Sequence, residues 1–244
     1  MAKSSGLGDR FFIAGYDLSG DVNALSKVGG GPELIDVTSI SSSAYERIGG
    51  RRSGGMEFTS HFNDDAARSH VVLAALPTTD VTAIYSRGAT VGCYGAGTVA
   101  KQIDYGLALA VNGALTANVS LQSNAYGVMF GQMLTAGIRT ESAATNGASI
   151  DFGSVSTLFG CTAFLVCTAL GSGTPTIKLQ DSADDATFAD ITGATFGTVA
   201  ALDNEIVQTA TGLTVRRYVR AVTTGTFASL SFAVLFVRHE VSTI

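Results

Sequence analysis

Met56 to Phe62 alternates along the chain, with Met56, Phe58, Ser60 and Phe62 on one side and Glu57, Thr59 and His61 on the other. That two-residue period predicts a half-buried strand. Ala114 to Gln122 repeats it: Leu115, Ala117, Val119 and Leu121 face one way, Thr116, Asn118, Ser120 and Gln122 the other. Leu107 to Val111 precedes it across Asn112-Gly113, a pair that predicts a hairpin closed by a type I′ turn, because both central residues of that turn need positive φ. Between these stretches Asn63 predicts a helix cap. Asp64 and Asp65 suit the positive end of the helix dipole, Ala67, Val71, Ala74 and Ala75 recur at helical spacing, and Pro77 stops the run, so a helix over about 64–76 is expected.

The remaining elements are predicted from runs and breakers. Arg10 to Leu18 forms a first strand and Ile40 to Ile48 a second. Residues 19–38 hold Gly20, Gly29, Gly30, Gly31 and Pro32, which predicts a long loop. Gly49 to Gly55 reads as a glycine-arginine turn. Val81 to Tyr85, Thr90 to Tyr94, Val99 to Tyr105 and Val128 to Ile138 are further candidate strands. Thr140 to Gly147 is small and polar, the best place for a boundary. Beyond it lie candidate strands at 149–152, 160–170, 176–181, 188–191, 205–209, 215–222 and 230–237, enough for a β-sandwich. The expected organisation is a part at 1–142, with a flexible arm at 1–9 and the helix, and a second sandwich at 143–244.

Composition changes this picture in one respect. Apolar residues make up 46% of the 244 and charged residues only 14%, against about 25% charged in an ordinary soluble domain. With 29 glycines and no tryptophan, the chain suits many short strands whose surfaces are covered by neighbours in an assembly. A net charge of −5 argues against a basic surface that reads DNA, yet is compatible with a wall that phosphate slides past.

Chemistry is sparse. Cys93, Cys161 and Cys167 give an odd count with no close pair, so buried free thiols in a reducing cytoplasm are expected. His61, His70 and His239 stand in no metal-binding motif. Asp181, Asp184 and Asp185 lack the glycine and glutamate of a calcium loop, and a surface turn is the better reading. No nucleophile elbow is present, and Gly95-Ala96-Gly97 and Gly29-Gly30-Gly31 read as turns rather than phosphate loops. The sequence therefore predicts no enzyme, no catalytic residue, no metal and no cofactor. The start of the chain has no signal-peptide core, and the apolar run Cys161 to Leu170 is far short of the ~20 residues that span a bilayer.

Two segments resemble a known family. The front stretch RFFIAGYDLSGDVNALS, followed by DVTSISSSAYERIGGRRSGGMEFTSHFND, resembles the major tail (tail-tube) proteins of long-tailed bacteriophages. The back stretch TIKLQDSADDATFADITGATF, followed by VRRYVRAVTTGTFASLSFAVLFVR, resembles an accessory β-sandwich common in phage tail proteins. The resemblance implies a mainly β fold: a tail-tube-type sandwich or barrel with one short helix, then an immunoglobulin-like or jelly-roll-like sandwich on the outer surface. It implies a structural virion protein whose hexameric rings stack into a tube. The partners would be other copies of the chain, the tape-measure protein, the tail terminator and distal tail proteins, and DNA that passes without specific binding. Assembly would take place in the host cytoplasm, with no membrane involved. The alternatives are a capsid decoration or head-fibre protein and a carbohydrate-binding sandwich. Candidate lumen-facing residues are Glu57, Thr59, His61, Thr116, Asn118, Ser120 and Gln122; the alternative is that these faces meet bulk solvent. Candidate inter-subunit residues are Asp17, Asp21, Arg51, Arg52, Arg216 and Arg220.

Overall fold

The computed structural model describes residues 5–153 and 155–242. In chain order the front half contains β1 (Arg10–Ile13), β2 (Tyr16–Asp17), β3 (Val22–Asp36), β4 (Arg47–His61), α1 (Ser69–Leu73), β5 (Val81–Ser86), β6 (Tyr94–Leu109), β7 (Leu115–Ser123), β8 (Met129–Met133) and β9 (Arg139–Glu141). The back half contains β10 (Ile150–Asp151), β11 (Cys161–Leu170), β12 (Thr176–Ser182), β13 (Ala189–Thr198), β14 (Asp203–Gln208), β15 (Tyr218–Thr224) and β16 (Leu230–Arg238). The fold is mainly β, built of antiparallel sheets with one short helix, as expected.

The larger sheet runs β14-β11-β16-β8-β6-β5-β1-β2, with β7, β4 and β3 added in turn beside β6 and β9 beside β16. The smaller sheet runs β10-β15-β12-β13 and faces β11 and β16 to make the back sandwich. The apolar runs of β11 and β16 are buried on both faces. Cys161, Ala163, Leu165 and Cys167, with Phe232, Val234 and Phe236, face Ile177, Leu179, Phe196 and Val219 of the smaller sheet. The alternate residues Phe164, Val166, Ala233, Leu235 and Val237 face Phe12, Ile84, Val99 and Met133 of the front half. Strands buried on both faces are expected to be nearly continuous in apolar residues rather than alternating, and CTAFLVCTAL and LSFAVLFV are broken only by Thr162, Thr168 and Ser231. Pairing of β16 with β8 and β9 carries the sheet across the 142/143 boundary. An ion pair between Arg139 and Glu141 lies beside it, with Arg139 Nη1 donating to Ala221 O at 3.0 Å and Thr223 Oγ1 donating to Glu141 Oε2 at 2.6 Å.

Several expectations are corrected. Residues 19–38 are chiefly β3, a 15-residue strand paired with β4 along its length, and the glycine-arginine segment 49–55 lies in β4 rather than in a turn. Partner hydrogen bonds outweigh the breaker character of Gly29 to Pro32. The stretch Arg10 to Leu18 is two strands, because Ala14 and Gly15 both take positive φ and turn the chain back. The helix covers Ser69–Leu73 rather than 64–76: Ala67 (φ 64°) and Leu76 (φ 43°) are left-handed and bound it on either side. Asn63 does not cap it; Asp21 Oδ2 accepts the Ser69 N–H at 3.1 Å instead. At the far end Gln102 Nε2 donates to Leu73 O at 2.6 Å. The turn at Asn112-Gly113 is not type I′. Only Gly113 has positive φ (86°), Gly113 N–H bonds Ala110 O and Ala110 N–H bonds Ala114 O, both at 2.9 Å, so a three-residue loop closes the hairpin. Of the arm at 1–9, residues 1–4 lie outside the described residues, while Asp9 accepts from Tyr85 Oη and ion-pairs with Arg87 at 3.5 Å.

Gly95 and Gly97 are in β6, not in a turn. A Cβ at Gly97 would lie 2.6 Å from Phe164 Cδ2 and 2.8 Å from Leu235 Cδ2, so glycine lets β6 meet the β11–β16 wall. Gly97→Val should therefore destabilise the chain by about 1–3 kcal/mol through overpacking, read as a fall in the denaturant midpoint at unchanged m-value. Deleting 143–244 would uncover Phe12, Ile84, Val99 and Met133; the expected result is loss of cooperative unfolding by residues 1–142, checked by circular dichroism and calorimetry.

Candidate functional site

Strands β3, β4, β7 and β6 form a four-stranded layer at one side of the larger sheet. Its inner face is apolar: Met56, Phe58, Ala117, Val119 and Leu121 are buried against Phe11, Leu18 and Leu73 of α1, and the Phe11 and Phe58 rings stand 4.5 Å apart. Its outer face carries the residues singled out from the sequence. The register sets Glu57 opposite Ser120, Thr59 opposite Asn118, His61 opposite Thr116 and Gly55 opposite Gln122. Two segments separated by more than fifty residues are thus adjacent, and all seven candidate lumen residues share one face. Thr59 Oγ1 donates to Asn118 Oδ1 at 3.1 Å.

The register adds members that alternation within each strand did not reveal. Lys27 lies opposite Glu57 and pairs with it at 3.2 Å, and Asp104 lies opposite Ser120. A β-bulge at Ile103 rotates Asp104 onto the polar face. In the sequence, alternation would put Asp104 on the side of Gln102, which is buried and reaches Leu73 O, so the bulge could not be foreseen. Ser26, Glu57, Thr59, Asp104, Asn118 and Ser120 line a shallow open depression of about 280 Å³. The face is wet, and its lysines are each paired with a carboxylate: Lys27 with Glu57, and Lys101, opposite Gln122, with Asp80 at 2.9 Å. Such a surface offers phosphate no cluster of cations.

Among the described residues both edges of this layer are open: β3 pairs with β4 alone, and β6 from Lys101 to Leu109 pairs with β7 alone. Both hairpins also run past the core that supports them. Leu34, Ile35, Val37, Ile40, Tyr45 and Ile48 are exposed on the β3–β4 ribbon and its loop, and Ile103, Leu107, Leu109 and Val111 on the β6–β7 hairpin.

The candidate inter-subunit residues fall into two groups. Asp17 accepts from Ser19 N–H at 2.9 Å. Asp21 is buried between Asn63 Nδ2 at 2.9 Å and the start of α1. Arg216 binds buried Asp181 through its backbone N–H and Nε, both at 2.8 Å. Arg220 donates to Gln180 Oε1 at 2.8 Å and lies 3.8 Å above the Phe188 ring. These four are engaged within the chain. Arg51 and Arg52 are exposed on the ribbon.

Titratable groups elsewhere are shifted by burial and by hydrogen bonds within the chain. Burial pushes the Cys161 thiol up to about 12 and Cys167 to about 11, so neither is a thiolate at neutral pH. Burial, with a hydrogen bond to Asp9, raises Tyr85 to about 12. Arg217 holds Asp151 near 2. Among the described residues no three His, Cys, Asp or Glu side chains gather to hold a metal ion, and no helix is long and apolar enough to cross a membrane.

His239 is 5% exposed, with Nδ1 3.1 Å from Phe159 O and Nε2 3.0 Å from Thr162 Oγ1. Burial lowers its pKa. The unfolded chain therefore takes up this proton more readily than the folded one. Stability from this site is complete above the unfolded value of 6.5 and falls as the pH drops through that value towards the lower folded one. The thermal midpoint should decline from pH 7 to pH 5, and His239→Gln, which can keep both hydrogen bonds, should flatten that decline.

No protein-family model and no curated protein sequence matches the chain. Solved structures similar to it include SPP1 Dit (gp 19.1), described as a paradigm of hub adsorption apparatus in phages infecting Gram-positive bacteria, at TM-score 0.37 and 12% identity over 94% of this chain and 99% of that one. Chains of the phage P2 baseplate in its activated conformation are similar as well. The calcium form gives TM-score 0.34 and 11% identity, the strontium form 0.33 and 10%, each covering 95% of this chain and 99% of the other.

Proposed function

We propose that this chain is a structural subunit of a phage tail that assembles with copies of itself into rings, and that the rings stack into the tail tube. The observation that carries the reading is the open-edged layer β3-β4-β7-β6, apolar on one face and polar on the other. Unpaired strand edges are a liability in a free subunit. Joining the β3 edge of one copy to the β6 edge of the next removes it, and a heterologous contact of this kind closes into a ring when the rotation between copies allows. The sequence resemblance of the front and back segments to tail-tube and accessory tail domains supports the same reading.

In this arrangement the polar face of Glu57, Thr59, His61, Thr116, Asn118, Ser120 and Gln122 lines the channel, joined by Lys27 and Asp104. DNA and a tape-measure protein pass along it without binding. The exposed apolar residues of the ribbon, with Arg51 and Arg52 beside them, contact neighbouring copies. The smaller sheet, β10-β15-β12-β13, lies on the outer surface. The virion tail is the location, with tail terminator and distal tail proteins at the tube ends.

Negative-stain microscopy of the concentrated protein tests this directly: hollow tubes or stacked rings are expected, and a chain that stays monomeric at every concentration refutes the reading. Asn118→Lys and Ser120→Lys should fold and assemble like the parent while slowing DNA ejection from reconstituted particles, since each adds a ring of cations to the wall. Val119→Lys buries a charge and should prevent folding. A tube map with residues 116, 118 and 120 on the outside would reverse the assignment of faces.

A further inference from the structure

The β3–β4 ribbon has an unusual midsection. Gly29 pairs with Gly55 and Gly30 with Gly54, and a third glycine, Gly31, follows opposite Ser53. Two successive rungs of this ladder therefore have no side chain on either strand. Cross-strand side-chain pairs are what stiffen a β-ladder, and glycine is the residue whose backbone moves most freely. The same rungs mark where support ends. β7 accompanies β4 only from Gly55 to His61, and Gln122 Nε2 ties the last supported point to Gly54 O at 2.9 Å. Beyond Gly31 and Ser53 the ribbon is two-stranded, which is marginal for an unsupported β-structure.

There is also room for it to move. On its body-facing side the ribbon overhangs an open cleft of about 1050 Å³, with Pro32, Gly50 and Arg52 on the ribbon and Tyr126, Gln208 and Thr209 on the body. A second crevice, of about 230 Å³, separates Gly31 and Pro32 from Gly127 and Val128.

We propose that the ribbon of residues 31–53 is a lever that pivots on the glycine rungs 29–31 and 54–55, swinging towards the cleft over β14 in the unassembled chain and held outward when a neighbouring copy covers it. Hinges of this kind are a few residues that absorb the backbone rotation while the elements on either side move as units. The pivot is a property of the single chain, whereas the holding of the lever outward rests on the assembly reading.

Double electron–electron resonance on the monomeric fraction tests it. In a Cys93→Ser background, spin labels at Ser43→Cys on the ribbon loop and Gln208→Cys on β14 report the lever, and labels at Asn118→Cys and Gln208→Cys report the body alone. The expected result is a lever distribution wider than the body distribution and reaching shorter distances. Gly31→Val, which places a side chain in the pivot opposite Ser53, should narrow it to the body's width: a Cβ at Gly31 meets nothing within 4 Å. If that variant fails to give a cooperative melt, Gly31→Ala replaces it. A lever distribution as narrow as the body's overturns the proposal. So does a broad one that the substitution leaves unchanged, since the motion would then lie elsewhere. Absence of tubes in the microscope would refute the assembly reading without altering either outcome.

Discussion

Burial of β11 and β16 on both faces is the constraint from which the rest of the structure follows. One face of this two-strand wall closes the back sandwich, and the other, through Phe164, Val166, Ala233, Leu235 and Val237, closes the front half. Full burial of a valine, leucine or phenylalanine is worth about 1.5–3 kcal/mol each, so the front-facing side chains alone contribute on the scale of the net stability of a domain, about 5–15 kcal/mol. Because both faces are apolar, polarity cannot decide which residues point forward. Shape does: Phe164 and Leu235 occupy the space left by Gly95 and Gly97 on β6, and a one-residue slip would set different side chains against those glycines.

With the wall fixed, the front half needs a second support for the layer that carries the polar face. That support is α1, five residues long and too short to be stable by itself. It is held at its start by Asp21 and at its end by Gln102, both reaching from strands or turns distant in sequence. The helix in turn backs Met56, Phe58 and Val119 through Leu73, and those residues orient their neighbours Glu57, Thr59, Asn118 and Ser120 outward. A buried hydrogen-bonded carboxylate and an apolar contact thus determine the direction of a polar surface.

The two ribbons are what the wall and the helix do not cover. Their exposed apolar side chains and unpaired strand edges are costly for a free chain. The same lack of support that exposes the β3–β4 ribbon also frees it at its glycine rungs.

The sequence by itself determined the elements whose pattern is local. The alternation at 56–62 and 114–122, the largely apolar runs at 161–170 and 230–237, and the mainly β character are recoverable from residue type and spacing, because burial of one or both faces writes itself into the order of side chains. Only the tertiary structure decided the rest. Glycine and proline at 29–32 signal a loop, yet pairing with β4 makes them strand, since hydrogen bonds from a partner outweigh local preference. Ala67 and Leu76 bound the helix through left-handed backbone that their residue type does not announce. Nothing in the order of residues places Asp104 beside Ser120 or Asp21 beneath Ser69; those neighbours are made by the register of strands far apart in the chain, and register is set by which side chains fit together in the core.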